Sequence, residues 1–410
     1  MMPALQEPHP PTGDLHDIQV DVLVAGAGPA GLTLACSLAD EGFTVALLEP
    51  QSVRALAHPK PDGREIALTH RSEALLKRWG LWDRIPASER HDLSAAEVCS
   101  GETAGPPQLR IQPQTAGRLG ALISNHWLRQ AAYEAASSRP GLTWLERANW
   151  QQLQVSEEGC TVQVRHDEGQ RQTVRARLLV AADSRHSSTR RQLGIACHMH
   201  DFGRSVIVCR MRHERPHEGR ARECFLYQHT LAILPLSEGL CSVVLILPTS
   251  DMASWLDRAA SDFELEISQA LGHQLGAMSL DGPRHHYPLV ATFAQRFVGP
   301  GCALIGDAAV GMHPVTAHGF NLGLSGVASL TEALVAARRA GWPLGSLRAL
   351  TPYERAHRWT AGPIFAGTQL VVKLFTTDTP LHRVLRDGVL KAANRLPPLT
   401  RWIERRLTDA

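Results

Sequence analysis

Short, wholly apolar runs punctuate the chain, and each ends on a glycine or an acid. Val22 to Ala25 leads into "GAGPAG", Thr44 to Leu48 into Glu49, Leu178 to Ala182 into Asp183 and Ser184, and Cys302 to Ile305 into Gly306 and Asp307. Apolar runs of this length, without polar alternation, fit strands covered on both faces, as in a parallel sheet. Between them, apolar residues recur at helical spacing. Leu32, Ala35, Cys36 and Ala39 mark one helix before Gly42, and Leu68, Leu75, Leu76 and Trp79 mark another. A third begins near Gly319 and runs through Leu324, Val327, Leu330, Leu334 and Ala337, with Arg338 and Arg339 at its C-terminal end and Gly341 just beyond.

From about Arg204 to Leu247 the pattern changes to β-branched and aromatic runs separated by turn residues: "SVIVCRMRH", "ECFLYQHTLAILPL" and "LCSVVLILP". These predict an antiparallel sheet, with Phe225, Leu231, Ile233 and Leu234 lining an apolar wall. The end of the chain is helical and amphipathic: Leu399, Trp402, Ile403 and Leu407 repeat at helical spacing, with Arg401, Arg405 and Arg406 on other faces. Such a helix suits either packing on the rest of the protein or contact with an anionic membrane surface.

The first strand, glycine turn, helix and second strand carry a specific chemistry. Gly26 permits a tight turn, Gly28 lets a pyrophosphate approach the backbone, and Gly31 lets the helix pack against the strand. The phosphates would then meet the helix N-terminus. Glu49, at the end of the second strand, stands where an acid binds the ribose of an adenine dinucleotide, which admits NAD or FAD and argues against a 2′-phosphate. Asp183 ends another strand, where it fits a ligand contact or a helix cap equally well. Arg64, in "DGREIAL", reads as a surface charge or a ligand contact.

Composition narrows the class. With 410 residues and 44% apolar content, the chain can bury the cores of two or three domains. A net charge of +2, from 42 basic and 40 acidic residues, provides no global field for nucleic acid. The eight cysteines are scattered singly, which fits a reducing cytoplasm better than a disulfide framework. The first 17 residues read as a loose tail without a signal sequence, and no run predicts a membrane span. His313 and His318 are five apart, off a common helix face and without a neighbouring Cys or acid at ligand spacing, so no metal is expected there. "CHMH" at Cys197 to His200 reads as solvated strand residues.

Nearly the whole chain resembles the single-component FAD-dependent aromatic hydroxylases, specifically the ubiquinone-biosynthesis hydroxylases. The resemblance rests on "GAGPAG" with Glu49, "DGREIAL", "SNHWLRQAAYEA", "AADSRHSSTR", "FLYQHTLAILPL", "GDAAVGMHP" and "HGFNLGL", in that order. "DGREIALTH" and "GDAAVGMHPVTAHGFN" are most like the UbiM branch of demethoxyubiquinol hydroxylases. Five positions depart from the family pattern: Ser184 replaces a glycine, Val310 a histidine, Ala317 and His318 a glycine and a glutamine, and His126 an arginine.

The resemblance implies an α/β fold: a Rossmann-like FAD-binding domain of the p-hydroxybenzoate hydroxylase (GR2) type, an antiparallel substrate sheet and C-terminal helices. Its expected segments are 18–80, 115–195 and 285–355 for FAD, 81–114 and 196–284 for substrate, and 356–410 for the helices. It implies that Gly26, Gly28, Gly31, Glu49 and Arg64 hold the adenosine and pyrophosphate, with Asp183 nearby and Asp307 at the ribityl or pyrophosphate region. Pro314, Gly319, Phe320 and Asn321 would face the isoalloxazine. NAD(P)H and O2 would be co-substrates, and a polyprenylated phenol or quinol ring would be hydroxylated through a flavin C4a-hydroperoxide. His318 is a candidate to donate to a ring oxygen or relay a proton. A ubiquinone-biosynthesis complex and peripheral contact with the inner face of the membrane are expected partners of such an enzyme. A hydroxylase of a soluble aromatic, or a flavoprotein that serves such a complex without turnover, also fits the residues.

Overall fold

The protein is described here from a computed structural model covering residues 15–101, 103–113, 117–226, 229–313 and 318–376. Its first layer is the sheet that the apolar runs predict. Strands β1 (Ile18–Ala25), β2 (Val45–Glu49), β8 (Leu142–Glu146), β11 (Arg171–Ala181), β18 (Val298–Gly299) and β19 (Cys302–Leu304) lie in the order β18-β19-β11-β1-β2-β8. Two further strands, β9 (Ala148–Ser156) and β10 (Gly159–His166), extend it antiparallel from β11. All five residues of β2 are buried, as its unbroken apolar run requires.

Register aligns the functional strand ends. Ala25 lies beside Leu48 on β2 and Ala181 on β11, and Ala181 lies beside Leu304 on β19. The residues that follow these strands, Gly26, Glu49, Asp183 and Gly306, therefore emerge along one edge, the carboxyl ends where open α/β sheets bind ligands. Helices α1 (Pro29–Asp40), α2 (Val53–Ala57), α3 (His70–Arg78) and α4 (Asn125–Ser137) connect and cover the sheet. Leu68, expected on the second helix, ends strand β3 (Glu65–Leu68) instead, and Thr69 caps α3 by accepting from the Ser72 amide. The β period won there because β3 pairs with β7 (Gly120–Ser124), which also pairs with β4 (His91–Leu93).

The second large sheet has the order β20-β17-β12-β15-β14-β13-β5-β6. Its strands are β5 (Ala95–Gly101), β6 (Leu109–Ile111), β12 (Cys197–His213), β13 (Arg220–Leu226), β14 (Thr230–Pro235), β15 (Leu240–Pro248), β17 (His285–Ala294) and β20 (Val310–Gly311), with β16 (Met278–Leu280) on β12. All its pairings are antiparallel except β5 with β13. Helices α6 (Met252–Leu256) and α7 (Ala260–Ala270) follow the short α5 (Ser188–Gln192) and cover one face, where Trp255, Phe263 and Ile267 pack on Leu231, Ile233 and Leu245.

That packing corrects the expected wall. Side chains alternate across a strand, so Leu231 and Ile233 point to the helices, while Phe225 and Leu234 lie on the opposite face. That opposite face turns toward β3 and β7: Tyr287 Oη donates to the Asp62 carbonyl at 2.8 Å, and Arg210 donates to Glu65 and Ser124.

Two long helices complete the protein. The helix α8 (Gly319–Arg339) starts where the apolar pattern places it, and α9 (Leu347–Thr376) packs along it, with Pro352 and Pro363 inside. A Cβ on Gly326 would stand 3.1 Å from the His357 ring, so α9 approaches α8 closely there. Among the described residues α8 alone is long and apolar enough to cross a membrane, and most of it is buried inside the protein. The amphipathic segment around Leu399, Trp402, Ile403 and Leu407 lies outside the described residues.

Candidate active site

The glycine turn after β1 is a backbone cradle. Gly26 has φ +107°, and a Cβ there would stand 2.7 Å from the Ala182 carbonyl oxygen. A Cβ on Gly31 would meet the Gly26 carbonyl oxygen at 2.0 Å, so α1 can sit this close to the turn only with glycine there. Gly28, in contrast, has nothing within 4 Å of the place its Cβ would occupy. It caps α1 without a side chain, and Pro29 opens the helix, so no side chain of the cap residue satisfies the first amides. Glu49 is buried, its Oε2 accepting from the Ala27 amide at 2.8 Å and its Oε1 from the Gln51 amide at 3.0 Å. A carboxylate has about four acceptor positions. Two remain for hydroxyl donors, and the donor set fits the ribose and pyrophosphate of FAD.

Arg64 is half exposed and pairs with Asp62 at 2.6 Å, its guanidinium lying 5.4 Å from the Tyr287 ring centroid. Asn125 Nδ2 also donates to Asp62 at 2.8 Å. Burial would raise the Asp62 carboxyl, but Arg64 and the hydrogen bonds from Arg64 and Asn125 hold it below its ordinary value. Asp183 takes the cap geometry. It accepts from Ser187 Oγ at 2.5 Å and from the Thr189 amide at 3.0 Å, at the start of α5. Ser184, where the family pattern has glycine, adopts φ +79°.

Asp307 lies in the 3-10 turn Gly306–Ala308 after β19 and pairs with Arg185 at 3.0 Å. Arg185 also donates to the Val290 carbonyl, and Arg190, buried beneath it, donates to the carbonyls of Ala308 and Arg185. These two arginines tie the loop after β11 to the loop after β19. Neither stood out in the sequence, where "SRHSSTR" resembles any polar helix start.

The N-terminus of α8 is the third part of the site. His318 precedes it without capping it through its side chain, Gly319 and Phe320 open it, and among the described residues only Met312 comes within 4.0 Å of a Cβ placed on Gly319. Asn321 is buried and joins α8 to the β3–α3 segment: it accepts from the Thr69 amide at 3.1 Å and donates to the Ala67 carbonyl at 2.8 Å. His318 and His313 are both buried, and His313 meets Phe202 edge-on at 4.7 Å. Burial, with Arg204 and Arg185 nearby, pushes the His313 imidazole down to about 4, so it is neutral near pH 7. Among the described residues no cluster of His, Cys, Asp or Glu could hold a metal. Pro314 lies outside the described residues.

Comparison with known proteins agrees with this architecture. A model of the FAD binding domain matches residues 19–350. The ubiquinone hydroxylase UbiM of Neisseria meningitidis is 42% identical over 402 residues, covering 97% of this chain and 86% of that protein. The chain belongs to the ubiquinone hydroxylase family. A second member, the ubiquinone hydroxylase UbiL of Rhodospirillum rubrum, is 35% identical over 97% of this chain and 91% of its own length. The solved structure of the p-nitrophenol 4-monooxygenase PnpA from Pseudomonas putida has the same fold, with a TM-score of 0.77 at 19% identity over 95% of this chain and 98% of that one. This hydroxylase is thus an FAD-dependent monooxygenase, for which NAD(P)H and O2 are the co-substrates typical of the class.

Proposed function

We propose that the protein hydroxylates the aromatic ring of a polyprenylated ubiquinone precursor, a phenol or quinol. The observation that carries this reading is the end-to-end 42% identity with a ubiquinone hydroxylase, on a chain whose glycine turn has the backbone geometry a dinucleotide needs. Gly26, Gly28, Gly31 and Glu49 hold the adenosine and pyrophosphate, with Arg64 able to swing from Asp62 to a phosphate. Asp183 orders the neighbouring loop, and Asp307, steadied by Arg185, faces the ribityl end. Gly319, Phe320 and Asn321 would frame the isoalloxazine, where the N-terminal dipole of α8 favours negative charge.

When bound, FAD supplies the activated oxygen after reduction by NAD(P)H. The chain itself must then exclude water and hold an electron-rich ring, tasks for Phe202, His313 and the apolar sheet face. His318, buried at the start of α8, is placed to take up or return a proton at a ring oxygen. His318→Ala is expected to raise peroxide release per NAD(P)H consumed, and full coupling in that variant would remove the residue from the chemistry.

Quinone analysis of a strain lacking the gene tests the function. An unhydroxylated prenylated intermediate should accumulate and disappear on complementation with active protein; normal quinone would contradict the proposal. We further propose that the amphipathic tail brings the enzyme to the inner face of the membrane or to a ubiquinone-biosynthesis complex. Flotation with anionic vesicles at low salt distinguishes the two, since only the first needs lipid.

A further inference from the structure

The face of the second sheet that turns away from α6 and α7 is mostly aliphatic across its central strands, with polar side chains at a few positions. Register sets Val98, Glu223, Ala232, Val244 and Val208 in one row across five neighbouring strands. The carboxylate of Glu223 therefore stands among aliphatic side chains. Its Oε1 is closed to solvent and has no hydrogen-bond partner among the described residues. In the next row the hydroxyl of Ser242, fully buried, is also without a partner there. The same face carries Tyr287 and Arg210, which reach the β3 and β7 segments, and Phe202, which meets His313. Glu223 thus belongs to the side of the sheet that faces the nucleotide-binding layer.

Glu223 is partly exposed as a residue, but a carboxyl oxygen closed to solvent without a partner destabilises the protein that contains it. Glu97, on the helix-covered side of the neighbouring strand, shows the structural alternative, since it is held by Arg110 and Arg222 at 2.8 and 2.7 Å. Glu223 has no such partner. An apolar surface with a few converging polar groups is the usual lining of a small-molecule site, and the missing partner is one that a ligand can provide.

We propose that Glu223 is the polar contact for a ring hydroxyl of the substrate, hydrogen-bonded to the phenol or quinol within the otherwise aliphatic face. This assignment rests on the proposed function and adds to it the residue that orients the ring. Burial pushes the Glu223 carboxyl up to about 8, so near pH 7 it is mainly neutral and can donate as well as accept. A neutral acid can serve either oxygen of a quinol without leaving a charge in an apolar pocket.

The test uses the FAD-loaded full-length protein and 2-prenylphenol as the probe. Binding is read by calorimetry and by the change in flavin absorbance, and stability by the melting temperature. Glu223→Met is expected to weaken probe binding about tenfold or more, the loss of one hydrogen bond to a buried group. Its flavin content should remain unchanged, and its melting temperature should be equal or higher by about 1–3 °C, because an unpartnered acid has been removed. Glu223→Gln, which can still donate and accept, is expected to stay within about threefold of the unaltered protein. Probe binding by Glu223→Met at unaltered strength overturns the proposal. So does a fall in melting temperature with no selective loss of binding, which marks a purely structural residue. If Glu223→Met does not fold, Glu223→Ala replaces it with the same expected loss and the same overturning result. Failure of the unaltered protein to bind the probe would instead count against the phenol or quinol reading itself.

Discussion

The glycine turn after β1 and the face of the second sheet turned away from α6 and α7 make opposite use of their polar groups. In the turn, polar atoms belong mostly to the backbone and are placed by sterics. Gly31 allows an approach that any Cβ would block at 2.0 Å, and Glu49 is fixed by two amides. On the sheet face, polar atoms belong to side chains in an aliphatic field, and Glu223 and Ser242 have no partner among the described residues. The first region, on our proposal, would hold the same cofactor whatever the substrate. The second keeps polar groups unmatched, which costs stability and makes sense where a ligand completes them.

The largest effect should come from filling the turn. Gly31→Ala forces its Cβ onto the Gly26 carbonyl and should cost about 3 kcal/mol or more, with loss of bound flavin in the purified protein. A fully loaded and stable variant would show that the turn is not the cradle described. Acid should act next, through the neutral buried histidines. Burial, with Arg204 and Arg185 for His313, pushes His313 and His357 down to about 4, while the unfolded chain would protonate them at the ordinary value of 6.5. The native state therefore binds fewer protons than the unfolded state between these values. Their stabilisation is fully present above 6.5 and is lost as pH falls toward 4, on the order of a few kcal/mol. Denaturant midpoints across that range check it, and a flat profile would contradict the buried neutral rings.

Glu49→Gln sharpens the comparison at the cofactor side. It retains one acceptor but loses the charge that two amides share, and should weaken FAD by about 2 kcal/mol, roughly thirtyfold, measured by flavin titration of the apoprotein. Asn321→Ala removes the links to Thr69 and Ala67 and should lower stability by about 1–2 kcal/mol, read as a lower melting temperature. The smallest effect is a gain. Ser184→Gly relieves a non-glycine residue at φ +79° and should stabilise by about 1 kcal/mol, unless the serine hydroxyl makes a ligand contact that the glycine loses.

These two regions also differ in how legible they were. Gly26 and Gly31 could be read from spacing because the turn's backbone geometry, a φ of +107° and a 2.0 Å approach, requires glycine there. The start of α8 at Gly319 was equally plain from its apolar period. Arg185 and Arg190 were not, because their partners, Asp307 and the Ala308 carbonyl, lie more than a hundred residues away. The sheet face was misjudged at Leu231 and Ile233, since a run that is apolar throughout does not say which residues face the helices. Glu223 passed unnoticed inside "ECFLYQHTLAILPL" for the same reason. Only the pairing of β13 with β14 and β5 shows which way it points.

FAD in the glycine cradle and a phenol or quinol ring on the sheet face turned away from α6 and α7 would together give ring hydroxylation with oxygen from O2. Incubation of the purified, FAD-loaded protein with NAD(P)H, a short-chain prenylated precursor and 18O2 tests it most directly. One labelled oxygen atom is expected in the hydroxylated ring. Consumption of NAD(P)H with all oxygen recovered as peroxide, and no label in the ring, would contradict it.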